Sequence, residues 1–101
     1  MKAYINNISY YLPKNVLSNE LIHEYFPEWD INIISSKTGI TFRHISGKNE
    51  FTSDMSLQVA TKLLEEHNID KNSIDFLLLC TQSPNYFLPS TSCIFHDKLG
   101  L

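Results

Sequence analysis

The sequence predicts an α/β protein in which helices pack on a mixed sheet. Three features carry that expectation. Phe76–Cys80 are apolar without a break. A half-exposed strand alternates, whereas a short unbroken apolar run suits a strand covered on both faces. Before it, Leu57, Ala60 and Leu64 recur at helical spacing, with Val59 and Leu63 widening the stripe. The elements then read strand, helices, short strand, helix, strand, helix. That order argues for at least one parallel strand pair joined by a right-handed crossover.

Taken in order, Ala3–Tyr11 is rich in tyrosine and isoleucine and reads as a strand. Leu12-Pro13 ends it, and Lys14-Asn15 makes a turn. Ser18 offers its hydroxyl as the cap of a helix over residues 19–26, with Leu17 and Ile22 placed as a hydrophobic staple. Pro27 stops that helix. Asp30 opens a second short helix. Gly39 supplies the left-handed residue past its end, and Lys37 sits in its last turn, where positive charge is favoured. Thr41–Ile45 reads as a short strand, with Phe42 and His44 on one side and Arg43 and Ile45 on the other. Thr52-Ser53-Asp54 starts the longest helix, ending near His67. Asn68 takes a left-handed cap, and Ile69 folds back on the last turn. Asp75–Thr81 is the buried strand. A loop with two prolines follows it, and Ser90 caps a final helix to Leu99. Open α/β sheets place their sites in loops at the C-terminal ends of strands, so Gln82–Pro89 is the first place to look.

Composition narrows the class. The chain has 101 residues, one domain or a piece of one. Hydrophobic residues make up 43% and charged residues 19%, ordinary for a globular protein. The net charge of −3 leaves no basic stripe to neutralise phosphates, so nucleic acid is not expected. No apolar run approaches the roughly 20 residues of a membrane helix, and no signal peptide is evident. The cytoplasm is the expected location. Cys80 and Cys93 do not form a C-x-x-C pair and are expected to be buried, free and inert. Cys93 falls in the first turn of a helix, where a thiolate is favoured, but has no evident base beside it. His23, His44, His67 and His96 share no ligand spacing, so no metal site is expected.

An ordered set of short motifs carries a resemblance. Leu12-Pro13 with Asn19, Thr38-Gly39-Ile40 with Arg43 and His44, Thr52-Ser53-Asp54-Met55, Asp75–Thr81, Pro89-Ser90 and Leu99-Gly100 together resemble the N-terminal part of a β-ketoacyl-acyl-carrier-protein synthase III. The resemblance spans residues 1–101 and implies the N-terminal half of a thiolase-like fold, incomplete as a domain. A central layer of helices would be missing from one face of its sheet. It further implies an acyltransferase that begins fatty acid or related polyketide synthesis. A cysteine at a helix start takes an acyl group from a coenzyme A or carrier-protein thioester. Malonyl-acyl-carrier protein then loses carbon dioxide, and its carbanion attacks the acyl-cysteine. A histidine and an asparagine stabilise the charge on the thioester oxygen. No metal or redox cofactor is required; coenzyme A enters only as part of a substrate.

The family's cysteine follows the Leu-Gly that matches Leu99-Gly100, so Cys93 is not it, and the 101-residue piece is expected to be inactive. Binding positions carry over one by one. The family's adenine-stacking tryptophan falls on Ile33, which cannot stack, and the basic residue four positions later falls on Lys37. Lys37 meets a phosphate as a point charge, without the fork of an arginine. Trp29 lies one turn earlier and reads better as a partly buried anchor. The change at Ile33 leaves open a donor delivered by carrier protein. The residue that closes the partner's acyl pocket across the dimer interface falls on Leu88, beside Phe87. Thr81 and Gln82 fall near the same interface and pocket. Arg43 matches an arginine with a structural rather than catalytic part. The expected partners are acyl-carrier protein, an acyl thioester and a second copy of the chain. Two other readings remain: a noncatalytic thiolase-fold partner for dimerisation or chain length, and a self-sufficient small binding domain. The piece alone is expected to expose apolar surface and self-associate.

Overall fold

A computed structural model describes residues 2–101. Contacts divide them into two compact units: one takes in the chain up to Tyr11 and then Glu50–Leu101, the other Leu12–Asn49.

The second unit is built on an antiparallel strand pair, β1 (Asn15–Ser18) with β2 (Phe42–Ile45), in the register Asn15 to Ile45 and Ser18 to Phe42. Between them run α1 (Asn19–Tyr25) and α2 (Ile31–Thr38). Local chemistry sets each helix end. The Ser18 hydroxyl accepts the Leu21 N–H at 3.2 Å, using one of the N–H groups a helix start leaves unpaired. Asp30 accepts from Asn32 at 2.7 Å and from Ile33 at 3.4 Å. Gly39 closes α2 at φ 67°, a left-handed conformation that costs a glycine nothing, and its N–H reaches Ser35 O at 2.8 Å.

The first unit holds α3 (Thr52–Glu66), a single 3-10 turn (Lys71–Ser73) and α4 (Thr91–Leu99). The stripe Leu57, Val59, Ala60, Leu63 and Leu64 is half-buried, while Gln58, Lys62, Glu65 and Glu66 are exposed. Asn68 takes a positive φ of 50°, and the Ile69 N–H returns to Leu64 O at 2.9 Å. Ser90 caps α4 through the Cys93 N–H, and Gly100 ends it at φ 71°. The segment before residue 12 is tied to α3. Lys62 Nζ donates to Tyr10 O at 3.2 Å and lies 4.8 Å over the Tyr10 ring, and Ser9 donates to Glu66 at 3.1 Å.

Several expectations are corrected. Neither Ala3–Tyr11 nor Asp75–Thr81 is a paired strand, and the pair that forms is antiparallel rather than parallel. A strand exists by its ladder, and no backbone-to-backbone hydrogen bond among the described residues engages either segment. Asn15 opens β1 rather than sitting in a turn. The polar triplet Thr52-Ser53-Asp54 does open α3, as expected, with Phe51 in the cap position before it. Cys80 and Cys93 are free, as expected, but exposed rather than buried. Exposure follows from what surrounds the apolar run. Along the run, Leu77 and Leu79 are half-buried, whereas Phe76 is 80% and Leu78 83% exposed, with Cys80 beside them. An apolar run records a demand for cover on two faces; these residues supply cover on one. Among the described residues only Phe95, 7% exposed, and Pro13 are buried apolar side chains.

Candidate functional site

On α2, Ile33 and Lys37 stand one helical turn apart, so they share a face. Both are exposed. The helix that carries them is held by Asn19, which is only 1% exposed. Its Nδ2 donates to Ser35 Oγ at 3.0 Å and to Ile40 O at 2.8 Å, and its Oδ1 accepts from Arg43 Nη2 at 3.0 Å. Its own N–H donates to Thr41 O at 3.0 Å. One buried amide therefore joins the start of α1, the last turns of α2, the Thr38-Gly39-Ile40 bend and β2. Arg43 is used inside this knot, with Nη1 also buried. His44 Nδ1 lies 2.6 Å from Pro13 O. Trp29 stacks on Phe26 with ring centroids 4.9 Å apart, in the bend before α2. It remains half-exposed, so it is a partly buried anchor on one face only.

The loop after the apolar run is held by a different amide. Asn85 Oδ1 accepts the Ser53 N–H at 3.1 Å, and its Nδ2 donates to Ser53 Oγ at 2.9 Å. The Asn85 N–H donates to Thr91 Oγ1 at 2.9 Å, and the Thr52 hydroxyl donates to Ser83 O. Ser53 is 0% exposed. Lys98 Nζ reaches Asp54 Oδ1 at 2.6 Å and Ser53 Oγ at 3.3 Å. The Lys98 ammonium and the Phe51 N–H hold the Asp54 carboxyl below its ordinary value. Beyond this anchor project Tyr86, Phe87 and Leu88, with Phe87 99% and Leu88 86% exposed and a cis bond between Leu88 and Pro89. They border a shallow hollow with Pro84 and Asn85. Thr81 accepts the Ser83 N–H at 3.0 Å, and Thr81 and Gln82 are exposed. Phe87 and Leu88 are thus neighbours on one apex, with Thr81 and Gln82 at the root of the same loop.

Sequence reasoning named Asn19 only as a motif residue and did not single out Asn85; the role of both was missed. Asn19 opens a helix and Asn85 sits in a loop, both common places for an asparagine, and only the distances reveal them as hubs. Cys93 lines a cleft of about 480 Å³ with His96 and Asp75. Its sulfur accepts from the Ser90 hydroxyl at 3.1 Å. Among the described residues, no three His, Cys, Asp or Glu side chains converge as metal ligands, and no helix is long and apolar enough to cross a membrane.

No family model matches the chain. Individual proteins do. A β-ketoacyl-[acyl-carrier-protein] synthase III of Sulfurovum sp. is 41% identical over 98% of this chain and 29% of its own length. The same enzyme of Campylobacter jejuni is 39% identical over 100% of the chain and 31% of its own. The crystal structure of 3-oxoacyl-[acyl-carrier-protein] synthase III from Aquifex aeolicus superposes with a TM-score of 0.78 at 34% identity, over 89% of this chain and 29% of that one. The chain's curated homologues are type III synthases. Its fold is part of their thiolase-like fold, and the chain spans about 30% of the length of the curated relatives it matches.

Proposed function

We propose that these residues are the N-terminal part of a β-ketoacyl-acyl-carrier-protein synthase III, an acyltransferase that starts fatty acid or related polyketide synthesis. The observation that carries this is identity of about 40% along the whole chain with synthases of that type, joined to a matching fold. In the parent protein a cysteine thiolate attacks the donor thioester, and the donor's thiol leaves. Malonyl-acyl-carrier protein loses carbon dioxide. The resulting carbanion attacks the acyl-cysteine, a carbon–carbon bond forms, and the carbon–sulfur bond breaks to restore the thiolate. Lys37 meets a donor phosphate. Ile33 lines the same helix face without stacking on a base. Leu88 and Phe87 close an acyl pocket across a pair of subunits, with Thr81 and Gln82 beside it. The parent acts in the cytoplasm, with acyl-carrier protein and an acyl thioester as partners.

The test is an acyl-transfer assay on the protein at its natural length. It receives acyl-coenzyme A or acyl-carrier-protein donors together with malonyl-acyl-carrier protein. Mass spectrometry follows an acyl group on a cysteine and the β-ketoacyl product. Both should form, and the 101-residue chain alone should form neither. A natural-length protein that never acylates a cysteine with either donor class overturns the proposal.

A further inference from the structure

Phe51 precedes α3 and has no side-chain acceptor to serve the helix start. The N–H of Ser53, in the first turn, is one of the donors a helix leaves unpaired. It is served from a distance by Asn85 Oδ1 at 3.1 Å. The other end of the same amide donates to Ser53 Oγ at 2.9 Å. This reciprocal pair fixes the amide's orientation, because a flipped amide would set its NH₂ against the Ser53 N–H. The Asn85 backbone N–H is spent on Thr91 Oγ1 at 2.9 Å, at the opposite root of the loop. No hydrogen bond among the described residues holds Tyr86, Phe87 or Leu88 themselves. Their side chains are exposed, so packing does not fix them either. The placement of this apex is therefore decided at its roots.

We infer that Asn85 is a positioning residue. By capping α3 from within the loop, it sets where the Phe87–Leu88 apex stands, and so which acyl chain lengths the parent protein accepts. This rests on the proposal above that the apex closes an acyl pocket. It adds a determinant that touches no substrate.

The experiment uses the protein at its natural length with three substitutions. Asn85→Leu keeps the volume and removes both side-chain bonds. Asn85→Asp keeps an acceptor for the Ser53 N–H and for the Ser53 hydroxyl, which turns to donate. Ser53→Ala removes the bond from Asn85 Nδ2 together with the Lys98 contact, keeps the backbone bond to Asn85 Oδ1, and serves if Asn85→Leu does not fold. Backbone hydrogen exchange at Ser53 and Asn85, the two amides the anchor engages, and the ratio of kcat/KM between a two-carbon and a six-carbon donor are measured together. Asn85→Leu should speed exchange at Ser53 and shift the donor ratio by about tenfold, within the range a pocket of altered length supplies. Ser53→Ala should shift both less, and Asn85→Asp should return both toward the starting values. Unchanged exchange, or an equal fall for both donors, overturns the inference. A Leu88→Ala control separates the two failures. If it also leaves the ratio unmoved, the pocket assignment fails; if it moves the ratio and Asn85→Leu does not, the positioning role alone fails.

Discussion

Replacing Asn19 with alanine removes the amide that joins α1, α2 and β2. Three side-chain hydrogen bonds go: to Ser35 Oγ, to Ile40 O and from Arg43 Nη2. The site is buried, so water does not take their place, and Ile40 O and the guanidinium lose partners. Neutral bonds of this kind contribute about 1 kcal/mol net each, and one to a charged group about 1.5–3 kcal/mol. Because the three share one knot they do not add fully, and a cost of about 3 kcal/mol is expected. That is a large part of the roughly 5–15 kcal/mol that holds a domain together. With a urea slope of about 1–3 kcal/mol per molar, the midpoint falls by about 1–3 M. Trp29 is the one tryptophan of the chain and lies in the same unit, so its fluorescence reports this transition. A loss below about 1 kcal/mol would falsify the view that Asn19 is the hub.

Three further outcomes are expected. Gly39→Ala meets no atom within 4 Å, so its cost is the left-handed backbone at φ 67° alone, about 1–2 kcal/mol by urea denaturation; a neutral result refutes the strain. Asp54, held below its ordinary value by Lys98 and the Phe51 N–H, contributes stability that is present above the unfolded-state value and is lost as pH falls through the depressed folded-state value. Both groups are over a third exposed, so the gain is under about 1 kcal/mol, and Asp54→Asn should flatten the acid limb of a midpoint-versus-pH curve; an unaltered limb assigns the acid loss elsewhere. Phe76→Lys with Leu78→Lys should reduce both dye binding to apolar surface and the self-associated fraction seen by sedimentation of the 101-residue chain. A wild-type chain that stays monomeric at high concentration and binds no dye refutes the bare-face reading.

What the sequence determined by itself is local. The caps at Ser18, Asp30 and Ser90 and the left-handed residues Gly39 and Asn68 stand where the sequence placed them, because each is settled by bonds spanning a few residues. The ordered motifs also led to the synthase relatives. Tertiary structure alone decided which segments pair. Asn15–Ser18 meets Phe42–Ile45 across two helices, whereas Ala3–Tyr11 and Asp75–Thr81, both fair strands by composition, have no ladder. Strand pairing depends on a partner distant in the chain, and apolar character states only that cover is wanted. The same distance hid Asn19 and Asn85. Asn19 becomes a hub only when Arg43 and Ile40 reach its side-chain amide, and Asn85 only when Ser53 reaches its side-chain amide and Thr91 its backbone N–H, all within 3.1 Å.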